Sequence, residues 1–134
     1  MKYWLLKSEP SAWSWDNQVK EGPSMWDGVR NYQARNNLKE MKKNDLCFFY
    51  HSVKERSIIG IVKVVKEYYP DPTDNTGRFV VVDVKATKKL KNPVSLYQIK
   101  ENSKLKDIAL VKQSRLSVMP LKKTEWEIII KMSN

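Results

Sequence analysis

The chain has 134 residues, of which 41% are hydrophobic, and this size and composition fit one folded domain with one core and exclude a disordered chain. Lysine and arginine outnumber aspartate and glutamate by 25 to 15, and the resulting net charge of +10 favours a polyanionic partner such as nucleic acid. Lysine-rich surface decoration produces the same excess, so charge alone does not decide the function.

No segment predicts export or membrane insertion. The opening residues 1–6 run directly into the polar segment 7–10, unlike a signal peptide, and no stretch approaches the ~20 apolar residues that a spanning helix requires. Cys47 is the only cysteine, so no intrachain disulfide forms and a reducing compartment is favoured. We therefore expect a cytosolic protein without a membrane partner.

The first elements in chain order are one strand and two helices. Residues 3–6 have strand character, which Pro10 ends. Ser14 is a suitable N-cap for a short helix over residues 15–20. Residues 31–41 contain neither proline nor glycine and form one apolar side at helical spacing, so they predict a longer helix.

The remaining elements are mostly strands, followed by a segment with two possible structures. Strands are predicted over 46–50, 58–65, 79–84 and 117–119, and a short helix over 95–100. Residues 124–131 fit either a strand or a helix, because Trp126, Ile128 and Ile130 alternate whereas the flanking residues suit a helix. The pattern predicts a single α+β domain over residues 1–134, built round a small, strongly bent sheet or barrel.

The side-chain inventory predicts no cofactor and no catalytic or metal centre with a recognisable motif. Counting residues leaves open a metal held by carboxylates alone and acid–base catalysis by Glu9, Asp27 or Asp45, but no spacing motif or pairing supports either. With His51 as the only histidine and Cys47 as the only cysteine, a His/Cys zinc site of three or four ligands is excluded. Along one strand these two residues lie ~13 Å apart, too far for a nucleophile and its base. The four glycines form neither a phosphate loop nor a dinucleotide fingerprint. A binding protein without chemistry of its own is the expectation.

Three polar and aromatic segments follow predicted strands or turns, where functional sites are usually placed: residues 7–10, 26–36 and 48–52. The central segment is the densest, since arginine contacts phosphates or stacks on bases while asparagine and glutamine read base edges. Arg30 lies at a helix start, where a cation interacts unfavourably with the helix dipole. This position therefore favours a functional role for Arg30. Trp26 and Tyr32 equally suit the core, so the segment alone leaves their role open.

These segments resemble the EVE domain family. The similarity runs in order through residues 3–10, 26–38, 49–52, Gly60 and 114–118, which spans nearly the whole chain. The resemblance implies a PUA-like fold, namely a small bent β-barrel with short peripheral helices, related to the YTH readers of methylated adenine in RNA. It also implies a reader of modified bases, chiefly modified cytosines in DNA, with RNA or tRNA as the competing ligand.

The resemblance also implies a set of site residues. Trp26 corresponds to a wall of an aromatic cage, and Ser8 and Glu9 lie where a base edge is contacted; the base pocket then comprises Ser8, Glu9, Trp26, Tyr32, Tyr50, His51 and Ser52. The expected contacts to the nucleic-acid backbone are Lys7, Arg30, Asn31, Gln33, Arg35 and Arg115. Without a basic extension at its start, the chain resembles bacterial, cytoplasmic members; a eukaryotic source would imply the nucleus.

Three functions fit these features. The first is a non-enzymatic reader of a modified base, with a modified cytosine preferred because Glu9 is placed to accept from an exocyclic amine. The second is a PUA-type RNA- or tRNA-binding accessory module without modification selectivity, which would show a steep salt dependence and little base preference. The third is an enzyme or regulator that binds a small molecule in the same pocket, with Glu9 as acid or base.

Overall fold

One mixed six-stranded sheet organises the protein in a computed structural model that describes residues 1–134. The strands are β1 Tyr3–Ser8, β2 Ser24–Met25, β3 Leu46–His51, β4 Ser57–Pro70, β5 Val80–Ser95 and β6 Val118–Leu121. Their order across the sheet is β2-β5-β4-β3-β1-β6; β1 and β3 are parallel, and the other neighbours are antiparallel.

Short helices surround this sheet: α1 Trp15–Glu21, α2 Tyr32–Glu40, α3 Leu96–Glu101, a 3-10 turn Ser103–Leu105, α4 Ala109–Lys112 and α5 Lys123–Met132. Ser14 caps α1 and Asn31 caps α2, each through a side-chain oxygen that accepts from the helix backbone, so both predicted helix starts are confirmed. The ambiguous last segment is a helix because Trp126 packs on the sheet, where its ring stacks on Phe48 with centroids 3.8 Å apart.

Both faces of the sheet are covered, which places the core on two sides of β3. Phe48 faces α5, and Phe49, the next residue, packs edge-on against Trp15 and Trp26 at centroid distances of 5.4 and 5.5 Å. Gly60 on β4 makes this second layer possible, since a Cβ there would lie 2.4 Å from the Trp15 ring. The Trp15 ring thereby packs α1 closely against the sheet.

The sheet is strongly bent, as predicted, but it does not close into a barrel, because β2 and β6 remain its two edges. Four register shifts interrupt the pairing of β4 with β5, and such bulges bend strands and increase their twist. Both strands are longer than predicted: β4 continues to Pro70 and β5 to Ser95. The lysine-rich second half of β5 looks like a loop in sequence and is ordered by its pairing with β4.

None of the helices is long and apolar enough to cross a membrane. No group of three or more histidine, cysteine, aspartate and glutamate side chains is arranged to hold a metal ion.

Candidate nucleic-acid interface

A cleft with a volume of about 670 Å³ opens at the carboxyl end of β1, beside the edge strand β2. Its walls come from the turn after β1, from β2 and the residues after it, and from the paired ends of β4 and β5. The lining includes Lys7, Ser8, Glu9, Trp13, Met25, Trp26, Asp27, Tyr69 and Asp83. Cavities that enclose drug-sized ligands have volumes of ~300–1,000 Å³, so the cleft is large enough for a nucleobase.

The structure brings three of the predicted pocket residues to this cleft: Ser8, Glu9 and Trp26. The backbone amide of Trp26 donates to Val82 on β5 at 2.8 Å, and its ring packs edge-on against Phe49. The residue is 7% exposed, so only part of the ring forms cleft surface. Trp26 is therefore a fixed part of the cleft wall.

The turn after β1 is held by its own hydrogen bonds. The Glu9 carbonyl accepts from the amides of Ala12 and Trp13, each at 2.9 Å, and the Ser8 hydroxyl donates to the Trp13 carbonyl. These bonds place the exposed Glu9 carboxylate and the Trp13 indole at one rim of the cleft. Ser8 is 8% exposed and committed to the turn, so its role is to position its neighbours.

Three other predicted pocket residues lie behind the cleft and do not line it. Tyr50 is buried, with the Lys7 ammonium 6.0 Å from its ring centre. His51 is buried as well, and its Nε2 accepts from the backbone amide of Trp15 at 3.0 Å. The amide of Ser52 donates to the Ser8 carbonyl at 2.9 Å. None of the three is among the residues that line the cleft, and the end of β3 instead supports the turn that does so.

Tyr32 is placed outside the cleft by the helix that carries it. Its half-exposed ring stacks on Phe79, with centroids 5.3 Å apart, on the surface of α2. Arg35 lies over the same ring at 4.8 Å, so these two predicted residues stay together but away from Glu9 and Trp26. Tyr32 is not a wall of this cavity.

Arg30 has an internal partner that explains a cation near a helix start. Its guanidinium Nη1 donates to the buried Asp71 carboxylate at 3.0 Å, and Nη2 donates to Thr73 at 3.0 Å. Burial by itself raises the pKa of Asp71, but hydrogen bonds from Thr73, Arg30 and Gly28 outweigh it and hold that pKa below its usual value. The structure thus gives Arg30 a positioning role in the loop that follows Trp26.

The sequence did not single out Trp13, Tyr69 or Asp83 for the site. Tyr69 on β4 donates its hydroxyl proton to the Asp83 carboxylate on β5 at 2.5 Å. Desolvation and this bond to Asp83 raise the pKa of Tyr69 to about 12, so the phenol stays protonated at neutral pH. This bond lies in a part of the β4–β5 pairing where the register shifts, and no local sequence signal reveals those shifts. For Trp13, an indole directly after a polar turn was the one available signal.

The cleft is acidic although the protein is basic. Four carboxylates line it, those of Glu9, Glu21, Asp27 and Asp83, whereas Lys7 is its single cation. Burial lowers the pKa of Lys7, and its ammonium donates to the Ser114 carbonyl at 2.8 Å. Carboxylates accept from amino groups and repel phosphate, so the cleft suits the amino edge of a base better than a backbone phosphate.

A second groove, of about 310 Å³, has the opposite character. It is lined by Asn31, Gln33, Lys112, Gln113, Ser114, Arg115 and Leu116, with no carboxylate among them. Three predicted backbone-contact residues, Asn31, Gln33 and Arg115, therefore meet here, and Lys112 joins them. The bond from Lys7 to Ser114 links this basic groove to the acidic cleft. The two cavities form adjacent sites for groups of different charge.

The bent sheet with its peripheral helices defines an α+β domain of the PUA-like class. The sequence profile described as EVE domain matches residues 2–132, and the chain belongs to the EVE domain family. Human thymocyte nuclear protein 1 is 33% identical over 97% of this chain and 73% of its own length. The resemblance predicted from the motifs is thus confirmed.

Solved structures agree with the family assignment. A protein from Rhodopseudomonas palustris is 49% identical, with a TM-score of 0.94 over 99% of this chain and 93% of its own. The human relative, solved with DNA that contains 5-methylcytosine, is 32% identical with a TM-score of 0.88 over 100% and 98%. A YTH domain from Zygosaccharomyces rouxii, solved with N6-methyladenosine RNA, is 13% identical with a TM-score of 0.62 over 98% and 86%, which is a likeness of fold.

Proposed function

We propose that this protein binds nucleic acid and reads one modified base, a modified cytosine in the first instance, in the acidic cleft. The observation that carries the proposal is the convergence of Trp13, Trp26 and the Glu9 carboxylate on one cleft. A human relative that forms a complex with 5-methylcytosine DNA supports it. In this proposal the role of the cleft is binding without catalysis.

The cleft offers the contacts that a base needs once it has left its stack. An indole face stabilises a stacked base by ~1–3 kcal/mol, and the base edge is then tested by hydrogen bonds. The Glu9 carboxylate accepts from the exocyclic amine of cytosine, which uracil and thymine lack. Apolar side chains such as Met25 supply surface for a methyl group, whose burial contributes ~0.8 kcal/mol.

The basic groove takes the phosphate next to the read base in this proposal. Arg115 and Lys112 provide the charge, and Asn31 and Gln33 provide amide donors at the start of α2. Lys7 stands between the two cavities and is held toward the groove by its bond to Ser114. Base and phosphate are thus separated by charge, which orients the nucleotide.

Fluorescence polarisation with matched oligonucleotides tests the proposal. DNA and RNA of one sequence carry cytosine, 5-methylcytosine, 5-hydroxymethylcytosine or N6-methyladenine at a single position, at two salt concentrations. We expect at least a tenfold preference for one modified cytosine, equal to ~1.4 kcal/mol. Glu9→Gln keeps the fold, because the side chain is exposed, and lowers this preference; Glu101→Gln, on exposed α3 surface, is the matched control.

The accessory RNA- or tRNA-binding module is the second candidate, and the net charge together with the basic groove favours it. Its mark is equal and strongly salt-dependent binding of all the oligonucleotides. A small molecule that raises the melting temperature, when no oligonucleotide does, would instead indicate a ligand-binding regulator or enzyme. The proposed setting is the compartment that holds the nucleic acid: the cytoplasm of a bacterium, or the nucleus of a eukaryote.

A further inference from the structure

Two of the three exposed tyrosines carry a cation on the ring. Tyr32, Tyr68 and Tyr97 are 51%, 48% and 71% exposed. The Arg35 guanidinium lies 4.8 Å from the Tyr32 ring centre, and the Lys39 ammonium lies 5.7 Å from that of Tyr68. No cation stacks on Tyr97. A half-exposed aromatic ring beside a cation is the combination that single-stranded nucleic acid uses for stacking and charge.

These groups form a continuous surface because α2 places them on one ridge. Tyr32, Arg35 and Lys39 are spaced by three and four residues, so they face the same side over ~10 Å of helix. Tyr68 on β4 meets the ridge at Lys39, and Arg78 meets it at Arg35, whose Nη1 donates to the Arg78 carbonyl at 3.2 Å. We call Tyr32, Arg35, Lys39, Tyr68 and Arg78 the α2 strip.

The strip is firmly supported, and its charge is not neutralised. Phe79 backs the Tyr32 ring, and the Arg30 guanidinium lies 5.3 Å from the Phe79 ring on that same support. Neither Arg35, Lys39 nor Arg78 lies within 4.0 Å of a carboxylate. Two of the five arginines of the chain, Arg30 and Arg35, therefore lie against two stacked aromatic rings, and the Arg78 backbone is bonded to Arg35.

The strip is connected to the acidic cleft through β4 and through the hydrogen bonds of Asp71. Tyr68 belongs to the strip and Tyr69, its neighbour on β4, lines the cleft. Asp71 accepts from the amide of Gly28 at 3.1 Å and from Arg30 at 3.0 Å, which ties the loop after Trp26 to the residues that precede Phe79. These connections are the structural basis on which we place the next nucleotides of a strand bound in the cleft on the strip.

We propose that the α2 strip binds unpaired nucleotides that flank the read base. Their bases stack on the Tyr32–Arg35 and Tyr68–Lys39 pairs, and their phosphates contact Arg35, Arg78 and Lys39. The proposal rests on the proposed function only for the nature of the ligand as nucleic acid. It adds that the footprint extends beyond the single base in the cleft.

Binding of single-stranded DNA of two lengths tests the strip. We compare oligonucleotides of ~4 and ~12 nucleotides, each with and without one 5-methylcytosine. Tyr32→Ala/Tyr68→Ala should weaken binding of the longer strand about tenfold, equal to ~1.4 kcal/mol, and leave the shorter strand and the preference for the modified base unchanged. Tyr32→Phe/Tyr68→Phe should bind like the parent, and Tyr97→Ala is the matched control for removal of an exposed ring.

The outcomes separate the two proposals. If the alanine pair binds the longer strand within about twofold of the parent, or if no oligonucleotide binds the parent, the strip proposal is overturned. If the alanine pair weakens binding of the longer strand but the parent binds modified and unmodified strands equally, the strip proposal is supported and the proposed reader function is wrong. An Arg35→Ala variant should also lower the slope of log affinity against log salt by ~0.7 for each phosphate that the arginine neutralises in the parent.

Discussion

The imidazole of His51 joins β3 to α1: Nε2 accepts a 3.0 Å hydrogen bond from the Trp15 amide, and Nδ1 donates to Glu55 at 3.1 Å. Replacement by alanine leaves the buried amide without a partner. We expect His51→Ala to lower the free energy of unfolding by ~1–3 kcal/mol, measured by urea denaturation. Glu55→Ala removes only the exposed partner and should change it by less than ~0.5 kcal/mol. Equal effects of the two variants would contradict this assignment.

Gly60 sets the distance between the sheet and Trp15. In Gly60→Ala the new Cβ would lie 2.4 Å from the Trp15 ring, so α1 or β4 must shift. We expect a decrease of ~1–3 kcal/mol in stability from overpacking, together with a changed tryptophan fluorescence spectrum. Unchanged stability and fluorescence would mean that the ring does not rest on Gly60.

The Asp71 hydrogen bonds predict a specific decrease of stability in acid. Because the folded-state pKa is lowered, the contribution is present above the unfolded value of ~3.9 and is lost as pH falls through the folded value. Asp71→Asn should be less stable than the parent at neutral pH, with the difference shrinking below about pH 4. Thermal melts across acidic pH test this; a constant difference would show that the carboxylate's charge is irrelevant.

Tyr69 is expected to ionise later than an ordinary tyrosine. Since its pKa is raised to about 12, Tyr69→Phe should lose part of the late phenolate absorbance of the parent. Burial also raises the pKa of Tyr50, so some late absorbance remains in the variant. The raised value also means that its stabilising contribution holds below the unfolded pKa of ~10 and disappears as pH rises through the folded value. Tyr97→Phe removes an exposed phenol and serves as the control. If Tyr69→Phe instead lost early absorbance and kept the late absorbance of the parent undiminished, the bond from Tyr69 to Asp83 would be contradicted.

Arg115 provides a test of the basic groove separate from the cleft. Arg115→Ala should weaken the binding of modified and unmodified oligonucleotides equally, because a phosphate contact does not distinguish bases. It should also lower the slope of log affinity against log salt concentration by about 1. Arg56→Ala, whose Nε donates to the Val53 carbonyl in an exposed turn, is the control. A change in base preference in Arg115→Ala would place the base in the groove instead of the cleft.

Much of the fold was predictable because local patterns and tertiary contacts agree. Ser14 caps the helix it was expected to cap, the helix predicted over residues 31–41 is α2, and the apolar runs around Phe48 and Val62 are inner strands. The motif containing Trp26 was specific enough to predict the family. At the level of single residues, Glu9 and Trp26 do lie beside one cleft, because a strand end and the turn after it are local features.

What the sequence alone determined is therefore the fold class, the family and the elements with strong local signals. Tertiary structure decided the rest, since the deciding contacts join residues that are distant in the chain. Packing of Trp126 on Phe48 makes the last segment a helix, and pairing with β4 orders the lysine-rich end of β5. Tyr32 lies on the surface of α2, away from Trp26, and Tyr69 lies at the cleft beside Asp83, where the register of β4 and β5 shifts. Neither position follows from the hydrophobic periodicity of the sequence, because the direction of a side chain depends on strand register and bulges.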